Sequence, residues 1–269
     1  MKKAYAATLC NGEGYLPGVE ALGGSLRASG TKEPMVLMVT PEVRPITRGR
    51  LVDQGWDVRE VEPIANPNPT TQQMLPRFGA AYTKLRAWQL VDFDKVVLLD
   101  ADTVVLKNVD DLFERPEIAA APDFFLPDRF SSGVMVLEPE EAKFERMIQA
   151  LSAGDSYDGG DQGFLNTFFE GWYAMPVEHR LPVGYNMAHF IYQFMRAHSS
   201  AWEKLQHEVK IVHYLVQKPW RARSTLSGAS EVWWDAYFAV HPEKSKDWRN
   251  RLHEMEDWSF DMLSHWIVG

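Results

Sequence analysis

Val96-Val97-Leu98-Leu99-Asp100-Ala101-Asp102 sets four uninterrupted apolar residues directly before two carboxylates spaced i, i+2. A short apolar run without alternation predicts a central strand covered on both faces. Open α/β sheets take ligands at the carboxyl ends of such strands. In extended chain the i, i+2 spacing turns both aspartates to one side, with only the small Ala101 between them. Two carboxylates on one side make a hard-oxygen site suited to Mg²⁺ or Mn²⁺, which can bridge to a diphosphate. Turn formation and capping of the next segment explain the same residues without a metal. A second copy, Asp92-Phe93-Asp94, precedes the strand and is explained by a turn or a solvated loop.

Outward from this stretch, strand-length apolar runs recur at Ala4–Cys10, Met35–Val39, Val58–Val61 and Val134–Leu137, separated by segments with helical spacing. Val19, Leu22 and Leu26 follow Pro17 at i, i+3, i+7, and Phe144, Met147, Ile148 and Leu151 follow Pro139-Glu140 in the same way. The alternation predicts an α/β fold. The polar tract Asn66–Gln73, with Pro67 and Pro69, reads as a surface loop and not a domain boundary, because strands resume on both sides. No internal repeat or low-complexity block interrupts residues 1–269, so one domain is expected throughout. Eight of the ten tryptophans lie from Trp172 onward, where aromatic packing replaces regular alternation.

Composition narrows the partners. The 269 residues, 45% hydrophobic and 24% charged, suffice for a substantial core and exclude disorder and collagen. Lys and Arg number 28 against 37 Asp and Glu, and the net charge of −9 repels phosphate backbones and anionic membrane surfaces. Nucleic acid is thus not an expected partner. No uncharged apolar stretch reaches the roughly 18 residues of a membrane span, so no membrane partner is expected either. Lys2 and Lys3 precede an apolar run, but its early stop at Asn11-Gly12-Glu13-Gly14 suits a first strand better than a signal peptide. The single cysteine, Cys10, forms no internal disulfide, which favours a reducing, cytoplasmic compartment.

Three further clusters invite chemistry. Asp155, Asp158 and Asp161 stand among glycines just before Phe164–Phe169. One acid there suffices to cap a helix starting near Asp161. The glycines, with the Gln162 amide, would also admit a ligand rich in hydroxyls to the backbone. His213 ends the strand-like run Val209–His213, and Lys218-Pro219-Trp220-Arg221 follows. A core histidine and solvated cations are the plain reading; an imidazole on a metal beside an ammonium would clamp a diphosphate. Lys84 and Arg86, ahead of Trp88, read in isolation as a polar helix face. Gly12-x-Gly14-x-x-x-Gly18 approaches a dinucleotide-binding glycine loop, but the last spacing is one residue too long and Pro17 intervenes. An NAD-linked oxidoreductase rests on that loop alone, and no Gly-x-x-x-x-Gly-Lys loop supports a triphosphatase.

Taken in order, Thr8-Leu9, Tyr15, Thr83-Lys84-Leu85, Asp100-Ala101-Asp102, Asp110-Asp111-Leu112-Phe113, Ser132-Gly133-Val134, Asp158–Gly163, Tyr185-Asn186, Val212-His213-Tyr214, Lys218-Pro219-Trp220 and Trp233-Trp234-Asp235 resemble the glycogenin-like retaining glycosyltransferases, a family that includes plant galactinol synthases. The tract Leu51–Pro63 is similar to the galactinol branch and Asp158–Phe169 to the glycogenin branch. The resemblance implies a GT-A fold, a mixed α/β sheet with a Rossmann-like nucleotide-binding first half. It implies transfer of glucose or galactose from a UDP-sugar with Mn²⁺ (Mg²⁺ as the alternative). Asp100, Asp102 and His213 match the family's metal ligands. Lys84 and Lys218 match residues facing the donor. Leu9, Asn11 and Tyr15 fall at uracil and ribose, Ala101 within the metal motif, and Ser132, Asn186, Asp158, Asp161 and Gln162 around the donor sugar. Arg77 is carried over from a loop of different length. Asp161, Gln162 and Lys218 are the expected catalytic residues.

Three departures bear on mechanism and acceptor. Ser131 stands where the family commonly has asparagine, the loop from His213 to Lys218 lacks its usual glycine, and the stretch that carries glycogenin's self-glucosylated tyrosine is shortened to Asn186–Tyr192. With Gly269 ending the sequence and no long tail, a separate acceptor, a small polyol or saccharide, is the expectation. Self-glucosylation and a non-catalytic UDP-sugar-binding module are the alternatives, and a homodimer is compatible with the resemblance.

Overall fold

The computed structural model describes residues 1–10, 12–67, 79–152, 156–221 and 228–245. Along the chain run β1 (Lys3–Leu9), α1 (Leu16–Ala28), β2 (Met35–Val39), α2 (Pro45–Asp53), β3 (Trp56–Glu60), β4 (Lys95–Leu99), β5 (Thr103–Val105), β6 (Ala119–Pro122), β7 (Phe130–Leu137), α3 (Glu141–Leu151), α4 (Asp161–Phe168), β8 (Met187–Ala188), α5 (His189–His198), α6 (Trp202–Leu205), β9 (Ile211–His213) and α7 (Gly228–Val240).

The main sheet has the order β3-β2-β1-β4-β7-β6. β3, β2, β1 and β4 run parallel, while β7 is antiparallel to β4 and β6 to β7. The mixed sheet expected from the sequence is therefore present. β4 sits inside it with every residue buried. Val97 and Leu99 join Tyr5, Ala7 and the α1 residues Val19, Leu22 and Leu26 on one face. Val96 and Leu98 join Tyr82, Trp88 and the α3 residues Phe144, Met147 and Leu151 on the other. Each fully buried aliphatic side chain contributes roughly 1.5–3 kcal/mol, so a register slip of β4 would forfeit contacts on both faces at once. Ile148, expected on the buried face of α3, is 38% exposed; one residue beyond Met147, it turns about 100° away from the stripe.

A second sheet, β5-β9-β8, grows from the end of β4. Its importance is positional: Thr103 pairs with His213, and Ala188 pairs with the same histidine from the other side. α1 lies against β5 and α7, in a cluster of Ala21, Val104, Val212, Tyr214, Trp233, Tyr237 and Phe238.

The glycine loop after β1 is used for close packing. Gly12 has φ of +78°, which favours glycine. A Cβ on Gly18 would overlap the Ala101 carbonyl oxygen and meet the Trp220 ring at 2.9 Å. Glycine there lets the first turn of α1 seat against the Asp100–Asp102 turn, and the Gly14 carbonyl accepts the Trp220 indole N–H at 3.0 Å. These contacts account for the glycines without a dinucleotide.

Candidate active site

The turn after β4 and the end of β9 bring Asp100, Asp102 and His213 together, with one ligand atom from each within 4.8 Å of the others. The backbone explains the convergence. The Tyr214 N–H donates to the Asp102 carbonyl at 2.9 Å, and the Asp100 N–H donates to the Gly133 carbonyl at 2.9 Å. His213 Nε2 lies 3.1 Å from Asp102 Oδ1 and 4.0 Å from Asp100 Oδ2. Its Nδ1 is 2.9 Å from Asn186 Oδ1. An amide oxygen can only accept, so Nδ1–H donates to Asn186, and this bond turns the ring so that Nε2 faces the carboxylates. Two carboxylates and one imidazole, each buried or nearly so, fit a hard divalent cation such as Mn²⁺ or Mg²⁺.

Gly133 makes room for this ring. A Cβ at position 133 would overlap His213 Cε1 and approach Nδ1 to 2.5 Å. Gly133→Ala is therefore expected to displace the imidazole and weaken Mn²⁺ binding by about ten-fold or more, in the range of disturbed second-shell positions. Titration by electron paramagnetic resonance reads this, and wild-type affinity would contradict the arrangement.

Two lysines flank the cluster. Lys84, from the 3₁₀ segment Ala81–Gln89, is fully enclosed. Its Nζ reaches Asp100 Oδ1 and Asp161 Oδ2, each at 2.7 Å, and donates to the Ser132 carbonyl and hydroxyl at 3.2 Å. Burial pulls its pKa down, but Asp100 and Asp161 outweigh burial and raise it. The polar-helix-face reading of Lys84 is thus corrected: a 3₁₀ turn puts it inward, while Arg86 lies at the surface with the Glu62 carbonyl and Gln89. Lys218 Nζ pairs with Asp102 Oδ2 and donates to the Tyr214 carbonyl at 2.7 Å. Burial pushes the Asp102 carboxyl up, yet His213 and Lys218 together hold it well below the usual range. Asp100 is raised, chiefly by burial and secondarily by Asp102, against the pull of Lys84.

Asp161, Ser132 and Gln162 form the opposite wall. The Ser132 hydroxyl donates to Asp161 Oδ2 at 2.9 Å, and the Ser132 N–H donates to Gln162 Oε1 at 3.1 Å. Gln162 Nε2 donates to Asp123 Oδ2 at 3.1 Å and to the Tyr157 hydroxyl at 3.2 Å. Asp123 and Tyr157 carry no signal in the sequence, because one sits in a polar loop and the other among serine, glycine and aspartate. Asp158 faces its own loop: Oδ1 accepts the Gly160 and Gly163 N–H groups at 2.9 and 3.0 Å and the Ser156 hydroxyl at 2.9 Å. It tethers the start of α4, the capping alternative of the sequence reading.

On the far side, Tyr15 lies edge-on to Trp220, with ring centroids 5.6 Å apart. The Arg221 guanidinium stands over its ring at 5.0 Å and Lys218 Nζ at 5.8 Å. Two cations beside one aromatic suit a planar base attached to phosphates. The Leu9 side chain is fully buried in the sheet core, which leaves only its backbone for any ligand. Ala101 is 7% exposed and supplies its carbonyl to the Gly18 contact. Asn11 and Arg77 lie outside the described residues.

The family described as Glycosyl transferase family 8 matches residues 8–121. Glycogenin-1 of Oryctolagus cuniculus is 35% identical over 250 residues, 86% of this chain and 74% of that protein. Glycogenin-1 of Caenorhabditis elegans is 36% identical over 239 residues, 87% of this chain and 55% of that protein. Inositol phosphorylceramide glucuronosyltransferase 1 of Arabidopsis thaliana is 33% identical over 273 residues, 94% of this chain and 47% of that protein. The chain thus spans between about half and three quarters of these relatives. Among solved structures, the glycosyltransferase GlyE of Streptococcus pneumoniae superposes with a TM-score of 0.64 at 20% identity, covering 91% of this chain and 65% of that one. The galactosyltransferase LgtC superposes at 0.62 with 17% identity, covering 92% and 99%. The fold is accordingly GT-A, with the Asp100–Asp102 turn at the carboxyl end of β4. By its extended identity to the glycogenins and its match to the family profile, the chain belongs to glycosyltransferase family 8.

Proposed function

We propose that this chain transfers a hexose, glucose or galactose, from a UDP-sugar to a separate hydroxyl acceptor, a small polyol or saccharide, with retention at the anomeric carbon. The observation that carries the reading is the convergence of Asp100, Asp102 and His213 beside the Lys218 ammonium. Asp100, Asp102 and His213 would hold a divalent cation, which would supply Lewis-acid stabilisation to the leaving diphosphate. Every other part falls to the chain itself. Lys218, already directed at the cluster, neutralises phosphate charge as UDP leaves. Tyr15, with Arg221 beside it, offers a face for uracil. Asp161 Oδ2 is held by both Lys84 and the Ser132 hydroxyl, which ties up that oxygen and makes it a poor nucleophile. It serves better as an acceptor for a sugar hydroxyl, with Gln162 aligned next to it. The acceptor oxygen then bonds to the anomeric carbon on the face from which the phosphate oxygen departs, and its proton passes to that oxygen.

Tyr192 supports a separate acceptor. It is half-buried on α5, edge-on to Trp202 at 4.9 Å, and burial raises its pKa. Intact-mass spectrometry after incubation with UDP-glucose or UDP-galactose and Mn²⁺ tests this: unchanged mass with turnover of donor is expected. A hexose ladder abolished by Tyr192→Phe would establish self-glycosylation instead. EDTA should silence turnover in either case. Lys218→Ala should lower turnover by about 10²-fold, the magnitude of a lost electrostatic stabiliser. Unchanged UDP affinity and rate in that variant would return Lys218 to a structural role. A cytoplasmic setting suits the lone Cys10, whose thiol is pushed up to about 11, chiefly by burial. None of the described helices is long and apolar enough to cross a membrane, and a homodimer fits the reading equally well.

A further inference from the structure

The loop between β6 and β7 holds exposed large apolar side chains: Phe124, Phe125 and Leu126 are 50%, 71% and 45% exposed. Isolated exposed apolar residues need no account, but three in succession beside a ligand site do. Their backbone is held. Asp123 Oδ1 accepts the N–H groups of Phe125 and Leu126, both at 2.9 Å, and the Asp123 N–H donates to the Arg129 carbonyl at 2.8 Å. Phe124 and Phe125 meet edge to face with centroids 5.1 Å apart.

Two independent connections tie this loop to the mouth of the site. Asp123 Oδ2 accepts from Gln162 Nε2 on the wall assigned to the donor sugar. Phe124 packs edge-on against Phe190 at 5.2 Å, and Phe190 follows His189, which stacks on Tyr214 at 5.6 Å, next to the metal-ligand candidate His213. The loop is thus joined to Gln162 through Asp123, and through Phe124 and Phe190 to the start of α5, whose His189 stacks beside the His213 strand. We propose that Phe125, braced edge-on by Phe124, forms the platform on which the acceptor sits, presenting its exposed face to the C–H face of a pyranose or cyclitol ring. The inference rests on the transferase reading above and adds to it where the acceptor binds.

The chemistry selects this occupant. A sugar ring has an apolar C–H face and a hydroxyl rim, so it covers aromatic carbon while its rim reaches polar partners, here Tyr157 and Asp123 at the Gln162 wall. A second copy of the chain is less well suited, because the loop offers a few side chains where a stable interface buries about 800 Å² per partner. Asp123 is a positioning residue in this scheme. It fixes the loop through one oxygen and the donor-sugar wall through the other.

The test compares the wild type with Phe124→Ala/Phe125→Ala, with Phe125→Ala alone and with Phe125→Trp. Calorimetry with UDP and Mn²⁺ comes first: loss of binding in the wild type would overturn the donor reading and the platform with it. Given UDP binding in all four proteins, saturation-transfer NMR is recorded with maltose, methyl β-galactoside and myo-inositol in the presence of UDP and Mn²⁺. The expected result is binding of at least one probe by the wild type and Phe125→Trp, weakened about ten-fold or more in both alanine variants. Equal binding by all four proteins, or binding of no probe, would overturn the proposal. So would light scattering that finds a wild-type dimer reduced to a monomer in the double variant, which would make the patch a self-interface.

Discussion

Asp102→Asn is expected to lower hexose transfer by about three orders of magnitude or more, equivalent to ~4 kcal/mol of transition-state stabilisation. The substitution keeps the side chain's size and its ability to accept from Lys218, and removes one unit of negative charge from the set formed with Asp100 and His213. Mn²⁺ affinity should fall in parallel, because a neutral amide is a weaker ligand for a hard cation than a carboxylate. Fold stability should change far less: Asp102 lies in the turn after β4, outside the apolar clusters that hold the sheet. Turnover at the wild-type rate with Mn²⁺ present would defeat the metal assignment. Loss of both activity and cooperative unfolding would show that Asp102 is chiefly a partner for Lys218.

The half of the site carried by β4 is legible in the sequence for a simple reason. Val96–Leu99 must be buried on both faces, and a strand that ends in acids must leave them at the sheet's rim, where they face water or a ligand. Pattern alone reaches that far. His213 is harder, since it acquires its place only through β5 and β9, three-residue strands whose pairing spans more than a hundred residues. Its recognition depended on family resemblance. Lys84 reads as a polar helix face from local spacing alone, because spacing gives only one face of a helix at a time, and only the resemblance points it inward. Nothing within Tyr82–Leu85 announces that Asp100 and Asp161, from two distant segments, converge on one ammonium. The same limit hid Asp123, whose two oxygens serve a loop turn and Gln162 at once. For Asp158 both readings are open from the sequence, and the Gly160 and Gly163 N–H groups that donate to its Oδ1 show the tether.

Lys84→Ala offers the sharpest separation of a buried cation from a surface one. An exposed lysine removed from a helix face alters stability by under about 1 kcal/mol and leaves chemistry alone. Lys84 is instead enclosed between two carboxylates whose side chains are 24% and 12% exposed, so its loss strands Asp100 and Asp161 against each other. Breaking a buried pair from one side costs about 3–5 kcal/mol, which for a chain of this size lowers Tm by roughly 5–9 °C. Mn²⁺ with UDP should restore part of that loss, because the cation neutralises Asp100 directly, while activity stays depressed for want of a fixed Asp161. Lys84→Met/Asp161→Asn provides the control. It removes one of the two stranded charges along with the ammonium and leaves only Asp100 unpaired, so Tm should recover part of the loss, yet transfer should remain down by about 10²-fold or more because the Ser132 hydroxyl loses the carboxylate that holds it. A double variant that regains both stability and turnover would leave Lys84 and Asp161 as a structural pair with no part in binding the donor.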